Sequence, residues 1–229
     1  MSRFSLIYIG CFLILLGIFS FFNIIYSYYF NILLNIDAYT YSFFISLILG
    51  LSAIFFKKIK FKKILIYEKI ITVLFGYFFF PLIISIPFYF SLYNISFLHC
   101  YFEAISGFTS TGFTIFDNIK QIDKSLILWR STSQWIGGLY FLFSLLLLID
   151  IFDENLKKSV TNYISFDSTE ISKQSLKIII LYAFLTFVIF LLFKLINLRT
   201  FDAFNFSLTI ISSGGFLSIN NYDNLFVTD

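Results

Sequence analysis

Seven residues with small or hydroxyl-bearing side chains, Ser106, Gly107, Thr109, Ser110, Thr111, Gly112 and Thr114, crowd together in a chain that is 59% hydrophobic, with Glu103 just ahead of them. A second cluster, Ser212, Ser213, Gly214 and Gly215, follows Asp202 in the same way. Such stretches supply neutral oxygens, from hydroxyls and from carbonyls where glycine lets the chain turn, and rings of such oxygens replace the water shell of a cation. Other chemistries lack their parts. His99 is the only histidine, and Cys11 and Cys100 are the only cysteines. A disulfide framework, a zinc cluster and a Ser/His/Asp triad are therefore all unsupported, and no nucleophile and base can be paired. The chain is not read as an enzyme, and neither a cofactor nor a nucleic-acid partner is expected.

The elements that must position these clusters follow from composition. Soluble domains hold about 25% charged residues, whereas this chain holds 13%, with 35 Phe and 15 Tyr. Apolar runs at about 4–30, 39–56, 65–92, 125–150 and 176–198 are each long enough to cross roughly 30 Å of hydrocarbon as a helix. The first run is too long for the core of a secretory signal and has no small-residue cleavage site, so it is read as a span. "KKIKFKK" at 57–63 carries five lysines between the second and third runs. Cytoplasmic connections collect Lys and Arg. This places the N-terminus, 57–63 and 151–175 inside, and the loop at Asp37, 93–124 and the segment from 199 onward outside.

Two segments, "FLHCYFEAISGF" at 97–108 and "FDAFNFSLTIIS" at 201–212, are apolar yet too short to span, and each runs straight into one of the polar clusters. Irregular backbone at membrane depth survives only when buried in protein or lining water. A re-entrant helix followed by a polar strand is the form expected. The two segments read as copies: "FEA" aligns with "FDA", and "STGFT" at 110–114 with "SSGGF" at 212–216, with three more residues between the two landmarks in the second copy. The second re-entrant helix is thus expected to be one turn longer, and Gly112 and Gly214 to supply positive φ and close backbone approach. Helix C-termini aimed at the polar strands would favour a cation.

"FEAISGFTSTGFTIFDNI", "LILWRSTSQWIGGL" at 126–139 and "FDAFNFSLTIISSGGFLS", with Pro87 in "SIPFYF", resemble the first and second pore repeats of the Trk/Ktr/HKT potassium transporter superfamily, on the side of its bacterial TrkH-type members. The resemblance implies an all-α membrane protein of span/pore-loop/span repeats: two N-terminal helices over 1–63, a first repeat over 64–150, a cytoplasmic loop over 151–175, and a second repeat over 176–229 that stops after its pore loop. It also implies potassium as the transported ion, in the cell (inner) membrane. Ser110, Thr111, Gly112 and Phe113 would form one strand of a backbone-carbonyl filter, and Ser212, Ser213, Gly214 and Gly215 the next. Family members close the pore with four repeats, so a chain supplying the missing repeats, or a second copy, is expected as partner. A cytoplasmic nucleotide-binding regulatory ring protein is the other partner the resemblance implies. The rival reading is a membrane scaffold or assembly partner that keeps the pore fold without transport.

Several residues carry two readings. Glu103 and Asp202 either concentrate cations or pair with Arg130 or Arg199. Gly137 and Gly138 allow close packing or a bend, Pro81 and Pro87 are expected to kink the third span, and His99 is read as a polar interfacial residue.

Overall fold

The computed structural model describes residues 3–32, 35–55, 66–92, 94–119, 122–148 and 171–218. The lysine run at 57–63 and the connection over 151–170 lie outside the described residues, as does the chain after 218. Seven helices and no strand occur among the described residues: α1 Arg3–Tyr29, α2 Ile36–Phe55, α3 Ile66–Ser91, α4 Phe97–Phe108, α5 Lys124–Leu148, α6 Ile171–Leu195 and α7 Thr200–Ile211. Five are long and apolar enough to cross a membrane: Leu6–Tyr29, Ile36–Phe55, Ile66–Ser91, Lys124–Leu148 and Leu176–Leu195. The chain is a multi-pass membrane protein. α4 and α7, with 12 residues each, reach only about 18 Å.

α1 and α2 form an antiparallel hairpin along a seam of small residues. A Cβ on Gly10 would lie 2.9 Å from the Gly50 carbonyl, Gly17 faces Ser46, and the Ser20 hydroxyl donates to the Tyr39 carbonyl at 2.8 Å. Lipid tails are as apolar as leucine, so helices in a membrane gain most from close backbone approach, which small residues permit. At one end of this hairpin, Asn35 Nδ2 donates to Asp123 Oδ2 at 3.0 Å and to Ser125 Oγ at 3.1 Å, which ties the α1–α2 turn to the start of α5.

α3 runs unbroken through Pro81 and Pro87. Each proline withholds an N–H from the helix ladder. That N–H would have met the carbonyl four residues earlier, of Tyr77 and of Ile83, and the next carbonyl in each case accepts from another element: Tyr101 Oη donates to the Phe78 carbonyl at 3.0 Å, and Trp129 Nε1 to that of Ile84 at 2.9 Å. These two bonds, one beside each freed carbonyl, dock α4 and α5 onto α3.

α5 is the spine, with 67% of its spanning window buried, whereas α6, at 11%, lies at the periphery. Phe12, Phe80, Phe108 and Tyr140 meet around the α4 end of this spine, with ring centroids 5.0 to 5.9 Å apart and tilted or edge-on. Such rings prefer offset or edge contacts because of their quadrupoles. Their effect is to hold Phe108, the last residue of α4, at a fixed depth in the bundle.

Candidate functional site

α4 begins on the side of the molecule where Asn35 meets Asp123. Ser96 caps it: its hydroxyl lies 2.6 Å from His99 Nδ1 and 3.5 Å from the His99 N–H. The lone histidine therefore belongs to a helix cap. At the other end, Thr109 is the cap residue and Ser110 takes φ 55°. The Ser110 N–H bonds to the Gly107 carbonyl and that of Thr111 to Ser106, both at 3.0 Å, which is a Schellman closure. α7 ends the same way. Ser212 caps, Ser213 takes φ 56°, its N–H bonds to Ile210 at 2.9 Å, and the Gly214 N–H bonds to Thr209 at 2.7 Å.

Helix ends, left-handed serines and both closing bonds all superpose at one offset, which pairs Thr109 with Ser212, Ser110 with Ser213, Thr111 with Gly214, Gly112 with Gly215 and Phe113 with Phe216. This differs from the sequence alignment in two respects. The helices have equal length, so the second is not a turn longer. The glycine equivalent to Gly112 is Gly215, because the left-handed residue that ends each helix sets the register. The extra residues arise instead from Asp202, which sits one turn earlier on its helix than Glu103 does.

Both polar strands run back along α5. Gly137 admits the Phe108 carbonyl into the space a Cβ would fill, and a Cβ on Gly138 would lie 2.7 Å from the Cβ of Ser212. Seven residues back toward its start, about 10 Å along the helix, Arg130 meets the far ends of both strands: Nη2 donates to Thr114 Oγ1 at 3.0 Å and Nη1 to the Leu217 carbonyl at 3.5 Å. The guanidinium also lies 4.2 Å from the ring centre of Phe216 and 5.3 Å from that of Phe116. Each segment enters the bundle as a helix and returns as an irregular strand. Gly137 and Gly138 serve close packing of these turns against α5.

Between these anchors the two strands touch. A Cβ on Gly112, which has φ 80°, would lie 2.7 Å from Gly215 Cα and 2.8 Å from its nitrogen; one on Gly215 would lie 3.3 Å from Gly112 Cα. Gly214 is not in the left-handed region and does not share the role of Gly112; its missing Cβ leaves room for the amide of Gln134. Thr111 and Ser213 are exposed, and the Thr111 hydroxyl is 2.7 Å from that of Thr109. The Phe113 carbonyl accepts from Ser106 Oγ at 2.6 Å, while its ring is 68% exposed, in contrast to the 3% of Phe216.

The carboxylates are engaged in pairing. Glu103, fully buried, accepts from Arg130 Nε at 2.7 Å, from the Thr114 hydroxyl at 3.0 Å and from the Ile115 N–H at 2.9 Å. A buried ion pair is tolerable only with such extra bonds to the remaining lone pairs. Asp202 accepts from Arg199 Nε and from Ser218 Oγ, at 3.0 and 2.7 Å. Ile115 and Ser218 are equivalent positions, so each carboxylate ties down the same point of its strand.

Sequence reasoning overlooked Gln134. The signal was present: Arg130, Gln134 and the Gly137–Gly138 pair recur at i, i+4 and i+7/i+8, one polar stripe on a span.

No protein-family model matches the chain. It is similar to an uncharacterized cation transporter of Methanocaldococcus jannaschii, 32% identical over 146 residues, and to the Trk system potassium uptake protein TrkG of Escherichia coli, 27% identical over 144. These alignments cover 60% and 58% of this chain but 29% and 30% of the relatives. Over 59 residues, 26% of this chain and 11% of the relative, it is 36% identical to the Trk system potassium uptake protein TrkI of Halomonas elongata. Among solved structures, the potassium transporter TrkH from Vibrio parahaemolyticus superposes with a TM-score of 0.71 at 23% identity, over 95% of this chain and 45% of TrkH. The fold is shared with a little under half of TrkH, and the chain spans less than a third of the curated relatives it matches.

Proposed function

We propose that the chain forms part of a potassium uptake pathway, in which residues 110–113 and 212–215 are two strands of a cation-selective filter. The observation that carries this reading is the meeting of Gly112 and Gly215 at the ends of two re-entrant helices that close in the same way. The C-termini of α4 and α7 approach the strands, and each helix end carries a partial negative charge of about half an electron, which favours a cation. The names of the similar proteins agree with a cation as cargo.

The backbone carbonyls near Gly112 and Gly215 are the ligands in this reading. Glu103 and Asp202 contribute indirectly, because their lone pairs are spent on arginine and on the strands. Two strands do not encircle an ion. Phe216 is covered by Arg130 of the preceding repeat, whereas the equivalent Phe113 stands open, which supports further repeats beside it, on the same polypeptide, a separate chain or a second copy. Under this reading residues 64–150 form the first repeat, behind the helices of 1–63, and 176–229 contribute the start of the second. The membrane is the cell membrane, with the N-terminus and the 57–63 lysines in the cytoplasm, where a nucleotide-binding ring protein would dock.

The test is growth at low potassium of a cell lacking its own transporters, with the chain expressed alone and with segments supplying further repeats. Rescue, with loss of the preference for potassium over sodium in Gly112→Ser, is the expected result. Rescue with the preference intact in Gly112→Ser removes the filter assignment, and a folded chain that confers no uptake in any combination is the scaffold instead.

A further inference from the structure

We infer that Gln134 is the positioning residue of the second filter strand, a latch that reaches from the α5 helix of one repeat to the strand of the next. Gln134 is fully buried within a membrane span, where an apolar side chain would be the economical choice. Its Oε1 accepts from the Phe216 N–H at 3.4 Å. Only an oxygen can face that donor, so the amide orientation is set by its partner. Nε2 is then left without a protein partner, and it lies 2.7 Å from where a Cβ on Gly214 would stand.

The amide therefore constrains the strand in two directions. The bond to Phe216 sets how far the strand slides along α5. Contact with Gly214 sets how closely it lies to the helix, and that contact exists only because residue 214 has no side chain. Arg130 one turn earlier and Gly138 one turn later anchor the strand ends; Gln134 governs the middle, next to Gly215 where the two strands meet. Discrimination by carbonyl oxygens depends on their placement and number, so loosening this point affects ion preference more than folding.

This inference deepens the proposed pathway, and the experiment separates the two. Amide hydrogen exchange over residues 213–217 is measured on the full chain in lipid nanodiscs, for wild type, Gln134→Leu and Gln134→Glu. Gln134→Leu keeps the volume and loses the acceptor, and exchange at Phe216 is expected to rise at least tenfold with the melting temperature little changed. Gln134→Glu keeps an oxygen at the Oε1 position and is expected to restore most of the protection. In cells where wild type supports uptake, Gln134→Leu is expected to reduce the preference for potassium over sodium at least tenfold at equal membrane abundance. Unchanged exchange in Gln134→Leu overturns the latch, as does faster exchange with an unchanged ion preference. Absence of wild-type uptake both alone and with segments supplying further repeats removes the proposed function, and the exchange measurement still decides the latch. Should Gln134→Leu fail to fold, Gln134→Met, unbranched and of similar length, takes its place in both measurements.

Discussion

Gly112→Ala and Gly215→Ala, the same change at equivalent positions, are expected to differ sharply in cost. At Gly112 the backbone has φ 80°, where a residue with a Cβ pays about 1–2 kcal/mol. The new Cβ would also stand 2.7 Å from Gly215 Cα, about 0.7 Å inside ordinary contact, and overpacking of this kind costs about 1–3 kcal/mol. The alanine's smaller unfolded-state entropy returns roughly 0.5–1 kcal/mol. Gly112→Ala is thus expected to lose about 2–3 kcal/mol. At Gly215 the backbone is not left-handed and the nearest atom is 3.3 Å away, at the edge of ordinary contact, so the loss is expected to stay below about 1 kcal/mol. The gap, about 2 kcal/mol, corresponds to roughly 4–8 °C in melting temperature for a chain of this size. Thermal unfolding of the two purified variants in one detergent measures it. Equal losses, or a larger loss at Gly215, would refute both the left-handed turn at Gly112 and the paired register of the two strands.

Arg130→Met leaves the fully buried Glu103 carboxylate unpaired and is expected to cost about 3–5 kcal/mol; adding Glu103→Gln, which keeps an acceptor for Thr114 and Ile115, should recover part of it in the same unfolding assay. By contrast, Arg199→Ala removes a pair whose arginine is 49% exposed, and a loss under about 1 kcal/mol is expected. Ser110→Gly and Ser213→Gly relieve left-handed residues after the helix caps and should each raise stability by about 0.5–1 kcal/mol, seen as a higher melting temperature. For topology, a cysteine at the exposed Asn118 should react with an impermeant thiol reagent from outside and one at Asn155 from inside, in a background where the exposed Cys11 has been replaced. Labelling of both from the same side refutes the orientation.

The helices were legible in the sequence because the membrane simplifies the code. An apolar run of 25 residues has essentially one way to satisfy its backbone in hydrocarbon, and the expected spans at 65–92 and 125–150 match α3 and α5 to within two residues. The short helix at 97–108 was legible for the same reason, being apolar but bounded by polar turns. Pairing of Asp202 with Arg199 was readable as a local i, i+3 relation. The register between the repeats was not. Matching the letters S and G aligned Gly112 with Gly214, whereas the chain is aligned by the left-handed serine that closes each helix, a backbone state that the residue name does not declare.

Sequence alone determined a multi-pass helical protein with two re-entrant segments, because partition between lipid and water acts on each segment separately and is written in its composition. Only the tertiary structure decided what each glycine is for. Gly112 turns the chain and meets Gly215, Gly137 and Gly138 receive two helix ends, and Gly214 makes room for Gln134. Those roles depend on what lies opposite the missing Cβ, contributed by a segment as many as 103 residues away in the case of Gly112 and Gly215, and no local pattern encodes that neighbour.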